Sequence, residues 1–165
     1  MRGRTVSESF IERAAMGQIY VARLVPGDDL NGEIGRLADV KDERRILILS
    51  GAGSVKDIVL RNLAAGADLP ISGEDWQSLE EPGPCEILSL TGNLFPMGGD
   101  PMLHIHATLG RADGSVIGGH LDAATVFSSV ELFFIGIDRS WAVKNPNDET
   151  GLAELEIATE RKPRL

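Results

Sequence analysis

The feature that most constrains the fold is a series of short β-rich segments, most of them joined by connections too short to contain a helix. Parallel strands need a crossover of a dozen or more residues, so this series favours antiparallel pairing. The sequence therefore predicts an α+β domain with a mainly antiparallel β-sheet and one or two packed helices. The predicted strands are 18–24, 45–50, 85–91, 102–109, 115–121, 130–137 and 151–157, while 55–63 is either a strand or a short helix.

One helix is predicted after the Pro-Gly-Asp-Asp sequence at 26–29, which favours a turn followed by an N-cap. Apolar residues then recur at spacings of four, three and three, as on one face of a helix. They are Leu30, Ile34, Leu37 and Val40.

The remaining segments are predicted as turns and connections. We expect helical turns at 8–15 and 122–127, a tight turn at 51–53 and an irregular connection over 64–83, which is rich in Gly, Pro, Asp and Glu. The predicted organisation is a polar lead-in over 1–14, one domain over 15–157 and a charged tail over 158–165.

Size and composition set broad limits. The size of the chain, 165 residues, is that of one domain. Its composition, with 42% hydrophobic and 25% charged residues, excludes disorder for most of the chain. Cys85 is the one cysteine, so no internal disulfide can form, which favours a reducing compartment. No apolar run approaches the ~20 residues of a membrane span, and charges interrupt any apolar signal core near the start. We expect a soluble, cytoplasmic protein without a membrane partner.

The distribution of charge argues against a nucleic-acid surface. The net charge is −9, and the stretch between Arg61 and Arg139 contains eleven acidic residues but one basic residue, Arg111. Binding to DNA requires Lys and Arg side chains that neutralise phosphates. DNA is therefore a doubtful partner.

All three histidines of the chain, His104, His106 and His120, lie within seventeen residues. His104 and His106 are two apart on a predicted strand and share one face. A three-residue loop at 112–114 would make His106 the cross-strand partner of His120 and place all three rings on that face. A two-residue turn would instead send His120 to the other face, and Gly118 and Gly119 could form a bulge that alters the register.

Three neutral imidazoles on one face form a known ligand set for zinc or another divalent first-row metal, with a fourth position open to water. The alternative is that the rings are surface or hydrogen-bonded structural residues. If they bind metal, protons compete for the nitrogens, and affinity should fall steeply below about pH 6.

Two carboxylates and the cysteine are further candidates. Glu86 and Glu131 lie within apolar strands, where either could orient a metal-bound histidine or act as a general base. The alternative for each is an outward-facing strand position, which we prefer. Cys85 fits a small buried hydrophobe better than a nucleophile because no histidine is near it in sequence.

Four segments resemble the PPC domain (DUF296), which plants and prokaryotes share. They are Cys-Glu-Ile-Leu-Ser-Leu-Thr-Gly at 85–92, Leu-His-Ile-His at 103–106, Gly-Gly-His-Leu at 118–121 and Val-Glu at 130–131. The resemblance spans about residues 15–155, and the His-x-His and Gly-Gly-His-Leu pair in this order is specific to the family.

The resemblance implies an α+β domain that assembles as a homotrimer and resembles stand-alone prokaryotic members labelled DNA-binding. It also implies that His104, His106 and His120 are metal ligands. The sequence has no AT-hook, and the plant motif Gly-Arg-Phe-Glu-Ile-Leu appears at 83–88 as Gly-Pro-Cys-Glu-Ile-Leu. Both departures weaken any transfer of DNA binding.

Three functions remain open at this point. The first is an oligomeric PPC protein with a three-histidine metal site and an unidentified small-molecule ligand or partner. The second is a DNA-associated transcriptional regulator. The third is a metal-dependent enzyme that uses a metal-bound water, with Glu86 or Glu131 as the base.

Overall fold

The structure is a computed structural model that describes residues 9–40 and 44–157. Eight strands and one α-helix follow in chain order, with a 3₁₀ turn at Gly73–Asp75. The strands and helix are β1 (Ala15–Leu24), α1 (Leu30–Val40), β2 (Ile46–Leu63), β3 (Trp76–Glu81), β4 (Cys85–Met97), β5 (Asp100–Gly110), β6 (Val116–Asp138), β7 (Ala142–Asn147) and β8 (Leu152–Ile157).

Six strands form one antiparallel sheet in the order β1-β6-β5-β4-β2-β3. Strand β2 also pairs with β6, so β6, β5, β4 and β2 close into a ring around the core. Irregularities in the β2–β6 register let these two long strands bend as they pass from one neighbour to another. The mainly antiparallel α+β architecture predicted from the sequence is confirmed, with one α-helix in the described residues.

The helix begins where the sequence predicts. Asp29 caps it, because its side chain accepts a hydrogen bond from Asn31 N at 3.2 Å. Leu30 and Ile34 are each 1% exposed and join the hydrophobic core, with Leu37 packed against it. The helix contacts β5 and β6 and thereby covers part of the inner surface of the sheet.

The predicted helical turn at 122–127 is wrong, because β6 runs without interruption from Val116 to Asp138. Thr125 and Val126 pair with Lys56 and Val55 of β2, so the backbone in this region is held in a sheet. Alanine and aspartate have low β-propensity, but pairing within the sheet outweighs it here.

The predicted tight turn at 51–53 is also wrong, because these residues continue β2, and the choice of strand or helix for 55–63 is resolved as strand. A Cβ atom on Gly53 would lie 1.9 Å from the carbonyl oxygen of Ser129. This glycine therefore allows β2 and β6 to approach closely. Glycine in a strand can mark such a close approach of two backbones as well as a turn.

Two strands were not predicted. Strand β3 lies within the expected irregular connection and is an edge strand with mostly exposed side chains, so it lacks an apolar pattern. Strand β7 contains Pro146, which argues against a strand in most settings. It pairs with β8, the terminal strand that was predicted, in a separate two-stranded sheet.

The predicted terminal segments fall partly outside the described residues. Residues 9–14 form no helix, and 1–8 and 158–165 are not described. Glu12, in the predicted lead-in, accepts hydrogen bonds from Ser140 Oγ and Trp141 N, each at 2.7 Å. The connection from β6 to β7 is therefore attached to the start of the domain.

Candidate metal centre

The three histidines converge on the outer face of the β5–β6 hairpin. Arg111 N donates to Ser115 O at 2.9 Å, and Gly114 has the positive φ of 83° that the three-residue loop requires. His106 therefore pairs with His120, as predicted from the loop length. The pairs from His106–His120 to Gly110–Val116 follow without a register shift, so the alternative bulge at Gly118 and Gly119 does not form between these strands.

The ring nitrogens are close enough to share one ion. One nitrogen from each of the three rings lies within 4.8 Å of the others, and His104 Nε2 is 3.1 Å from His106 Nε2. In a tetrahedral site with metal–nitrogen bonds of about 2.0–2.1 Å, ligand nitrogens are about 3.3 Å apart. The His104–His106 separation is close to this value, and a nitrogen of His120 lies within 4.8 Å of both.

The surroundings favour the neutral form of the imidazoles. Burial lowers the pKa of His104 to about 4, assisted by the positive charge of Lys144 and by the two other rings. Burial also lowers the pKa of His120, and the charge of Arg61 contributes. Only a neutral imidazole has a free lone pair for a metal, so these two rings are in the form that binds metal at neutral pH.

A carboxylate and a guanidinium lie next to His120. Asp122 Oδ1 is 3.4 Å from His120 Nε2 and accepts a hydrogen bond from Arg61 at 2.9 Å. Arg61 is the partner of His120 on β2, and its guanidinium also lies 4.8 Å from the centre of the Trp76 ring. A carboxylate beside a ligating histidine fixes the ring's orientation and raises its basicity, which is the role Asp122 is placed to perform.

Lys144 and Asn93 complete the surroundings of the histidines. Asn93 is the cross-strand partner of His104, so both side chains lie on the same face. Lys144 comes from β7, which packs against β4, and it is 2% exposed. Asn93 Oδ1 and Lys144 Nζ are buried and have no hydrogen-bond partner among the described residues.

The structure does not bring Glu86 or Glu131 to the histidines. Glu86 pairs with Gly110 and Ser54, beyond the end of the row that contains the histidines, and Glu131 pairs with Arg23 and Ala52. Both side chains are exposed. Cys85 is 2% exposed, and burial raises the pKa of its thiol, as suits a structural residue.

Sequence reasoning missed the residues that surround the histidines. Asp122 is two residues from His120 and shares its face, but the sequence pattern placed Asp122 in a helical turn and not in the same strand. Arg61 and Asn93 become neighbours of the histidines only through sheet register, and Lys144 comes from a strand that was not predicted.

The one α-helix of the described residues is too short to span a membrane.

Comparison with curated proteins gives matches to a much longer protein. The chain is 31% and 30% identical, over 141 residues, to the bifunctional protein GlmU from two strains of Synechococcus. These matches cover 85% of this chain but 20% of each relative, so the chain spans about a fifth of the length of the curated relatives it matches.

Solved structures share the whole fold. A plant- and prokaryote-conserved (PPC) protein from Pyrococcus horikoshii has a TM-score of 0.79 and 25% identity, with 94% of this chain and 100% of that chain covered. A metal-containing protein from Archaeoglobus fulgidus has a TM-score of 0.76 and 30% identity, covering 88% and 98%. A protein from Bacteroides thetaiotaomicron, provisionally named DNA-binding, has a TM-score of 0.73 and 22% identity, covering 87% and 97%.

A family model agrees with the histidine pattern and the ring of strands. The model for the Plants and Prokaryotes Conserved domain (PCC, also written PPC) matches residues 11–138, which contain β1 to β6 and all three histidines. This chain belongs to the Plants and Prokaryotes Conserved domain family.

Proposed function

We propose that this chain is an oligomeric PCC-domain protein that binds one divalent metal ion through His104, His106 and His120. The observation that carries the proposal is the placement of one nitrogen from each ring within 4.8 Å of the other two. Zinc is the metal we propose, because three imidazoles with an open fourth position are a common zinc ligand set. The similarity to a protein described as metal-containing supports a metal at this site without naming the element.

The metal content of purified protein tests this proposal. Protein prepared without a histidine tag should be stripped with a chelator, reconstituted with Zn²⁺ at pH 7.5 and desalted. We expect about one zinc per chain in the wild type and far less in His106→Ala. Thr108→Ala is the matched control, because Thr108 is exposed on the same face of β5 but outside the histidine cluster.

Equal zinc content in the wild type and His106→Ala would contradict the proposal, as would no zinc in either protein. Normal zinc content in Thr108→Ala is needed to exclude a general effect of substitution on β5. The histidines would be structural residues if the proposal failed.

Self-association as a homotrimer is the second part of the proposal. The outer side of the β1–β6–β2 region carries several exposed apolar side chains, although their neighbours on the inner side are buried. Phe133 is 37% exposed whereas Phe134 is 2% exposed. An apolar surface of this kind is commonly covered by another subunit. The exposed residues are Ile19, Val21, Leu47, Leu49 and Phe133.

The alternative functions have weaker support. Four basic side chains of the described region are paired with carboxylates, and the net charge of −9 opposes binding to DNA phosphates. The enzyme hypothesis named Glu86 and Glu131 as bases, and neither is close to the histidines. The paired basic residues are Arg36 with Glu33, Lys56 with Asp57, Arg61 with Asp122 and Arg111 with Glu81.

A further inference from the structure

Lys144 is an unusual residue for the position it occupies. Its side chain is 2% exposed, and its amino group has neither a hydrogen-bond partner nor a carboxylate within 4.0 Å among the described residues. Burying an ammonium group without a partner is costly, so such groups normally have a counter-charge. Burial accordingly lowers the pKa of the Lys144 amino group, and a partner that carries negative charge would offset this cost.

The position of Lys144 indicates where that partner binds. Its strand, β7, packs on β4, the strand that carries the cross-strand partner of His104. The positive charge of Lys144 contributes to the lowered pKa of both His104 and His120. Lys144 therefore lies beside the proposed metal site, and it comes from a strand that follows the segment matched by the family model.

A metal ion would add to the positive charge here. The charged side chains that act on the pKa values of His104 and His120 are Lys144, Arg61 and Asp122, and the last two pair with each other. A divalent cation next to the remaining ammonium group would be repelled by it. An anion that binds the metal and Lys144 together removes this repulsion and gives the lysine its missing partner.

We propose that the site takes a small oxyanion, a carboxylate or a phosphate, whose oxygen binds the metal at its open position while the Lys144 ammonium group donates a hydrogen bond to it. This inference rests on the metal site proposed above. It identifies the chemical class of the ligand that the family resemblance leaves open.

Two further buried polar atoms on strands next to the histidines also have no hydrogen-bond partner among the described residues. Arg61 Nε is buried and has no hydrogen-bond acceptor among the described residues, and it lies on the strand next to His120. Asn93 Oδ1, on the strand next to His104, has no donor.

The test uses protein loaded with Co²⁺, because the visible absorption of cobalt reports ligands at its open position. Sodium acetate and inorganic phosphate are titrated separately into the loaded protein at pH 7.5, with ionic strength held constant by sodium perchlorate. We expect at least one of them to change the spectrum saturably, and the tighter one identifies the carboxylate or the phosphate as the better model of the ligand.

Lys144→Met should bind the anion roughly tenfold or more weakly while keeping its cobalt, because a charge-assisted hydrogen bond is lost and no metal ligand is removed. Lys144→Arg, which keeps a cation, should retain anion binding better than Lys144→Met. Lys56→Met is the matched control, since it also removes one lysine charge but Lys56 is paired with Asp57. Its anion affinity should stay within about twofold of the wild type.

The possible failures are distinguishable. Wild-type protein that takes up no cobalt would refute the metal site, and the anion proposal with it. Normal cobalt content with no spectral response to either anion, or with the same anion affinity in Lys144→Met, would refute the anion proposal alone. Loss of cobalt from folded Lys144→Met would also refute it, because Lys144 would then be a metal ligand. Circular dichroism establishes that each variant is folded, and if Lys144→Met is not, Lys144→Gln takes its place with the same expected and contradicting results.

Discussion

His106 and His120 are direct cross-strand partners on β5 and β6, with ring centres 5.5 Å apart. His104 is two residues from His106 on the same strand, and its ring centre is 5.2 Å from that of His120. One hairpin thus holds the whole triad, and the register of that hairpin determines whether a shared site exists.

Loss of a metal ligand should lower zinc affinity more than loss of Asp122, the residue that orients His120. His106→Ala should reduce zinc affinity by more than the ~10–100-fold typical of losing an orienting residue. Asp122→Asn should fall within that ~10–100-fold range, because Asp122 contacts His120 and not the proposed ion. Competition with a chromogenic chelator measures both values.

Glu131→Gln and Glu86→Gln are the controls for this series, because both glutamates are exposed and outside the cluster. Unchanged zinc affinity is expected in both. A loss comparable to that of Asp122→Asn would show that one of these glutamates acts on the site after all.

The stability of metal-free protein should fall as the pH is lowered from about 6.5 to about 4. In this range an unfolded histidine, with an ordinary pKa of ~6.5, binds a proton, whereas folded His104, with a pKa of about 4, does not. The unfolded state therefore gains protons that the folded state excludes. Thermal unfolding followed by circular dichroism across this range measures the effect.

His104→Gln should show a smaller loss of stability over the same pH range, because the substituted residue does not titrate. Equal pH dependence in the two proteins would contradict the lowered pKa of His104. Burial lowers the pKa of His104 to about 4 and also lowers the pKa of His120, which weakens the competition of protons with a metal at these two rings. The loss of zinc affinity below about pH 6 expected from the sequence stays a prediction, and zinc content measured from pH 7.5 to pH 4 checks it.

Duplex DNA should not bind with meaningful affinity at about 150 mM salt. The net charge of −9 repels phosphates, and the arginines at 36, 61 and 111 are paired with carboxylates. Fluorescence anisotropy with a labelled duplex provides the measurement. Binding at micromolar or lower concentration, weakening steeply with salt, would overturn this prediction.

Light scattering at micromolar concentration should give about three times the chain mass of 17.7 kDa, or about 53 kDa. Val21→Asp should shift the mass towards one chain, because Val21 is 72% exposed within the apolar surface of β1, β6 and β2. Leu88→Asp is the control, since Leu88 is 57% exposed on β4 and outside this surface. A wild-type mass near 17.7 kDa would refute self-association.

The sequence was sufficient for the helix and most strand locations because each depends on local pattern, whereas it left two loop lengths open for the histidine hairpin. The register of His106 and His120 follows from one loop whose glycine adopts a positive φ. Continuity of β2 and β6 was not predictable from local pattern, since the glycines of β2 and the Asp-Ala-Ala segment of β6 favour turns or helices. Their pairing with each other keeps both extended.

The surroundings of the site were less predictable for a related reason. Lys144 reaches the histidines from a second sheet, and no local pattern marks a lone lysine in a strand that contains proline. Asn93 and Arg61 depend on the order of strands in the sheet, which one hairpin does not determine.

The continuity of β6 has a consequence for the way the domain opens. This strand forms backbone ladders with β1, β5 and β2, and most of its partners are distant in sequence. The paired segments of β6 on either side of 127–129 cannot separate without disrupting at least one of these ladders, so their amides should exchange hydrogen for deuterium only through global unfolding. Because His120 is on this strand, release of a bound metal by unfolding would be a cooperative event of the entire ring of strands rather than a local opening of the hairpin.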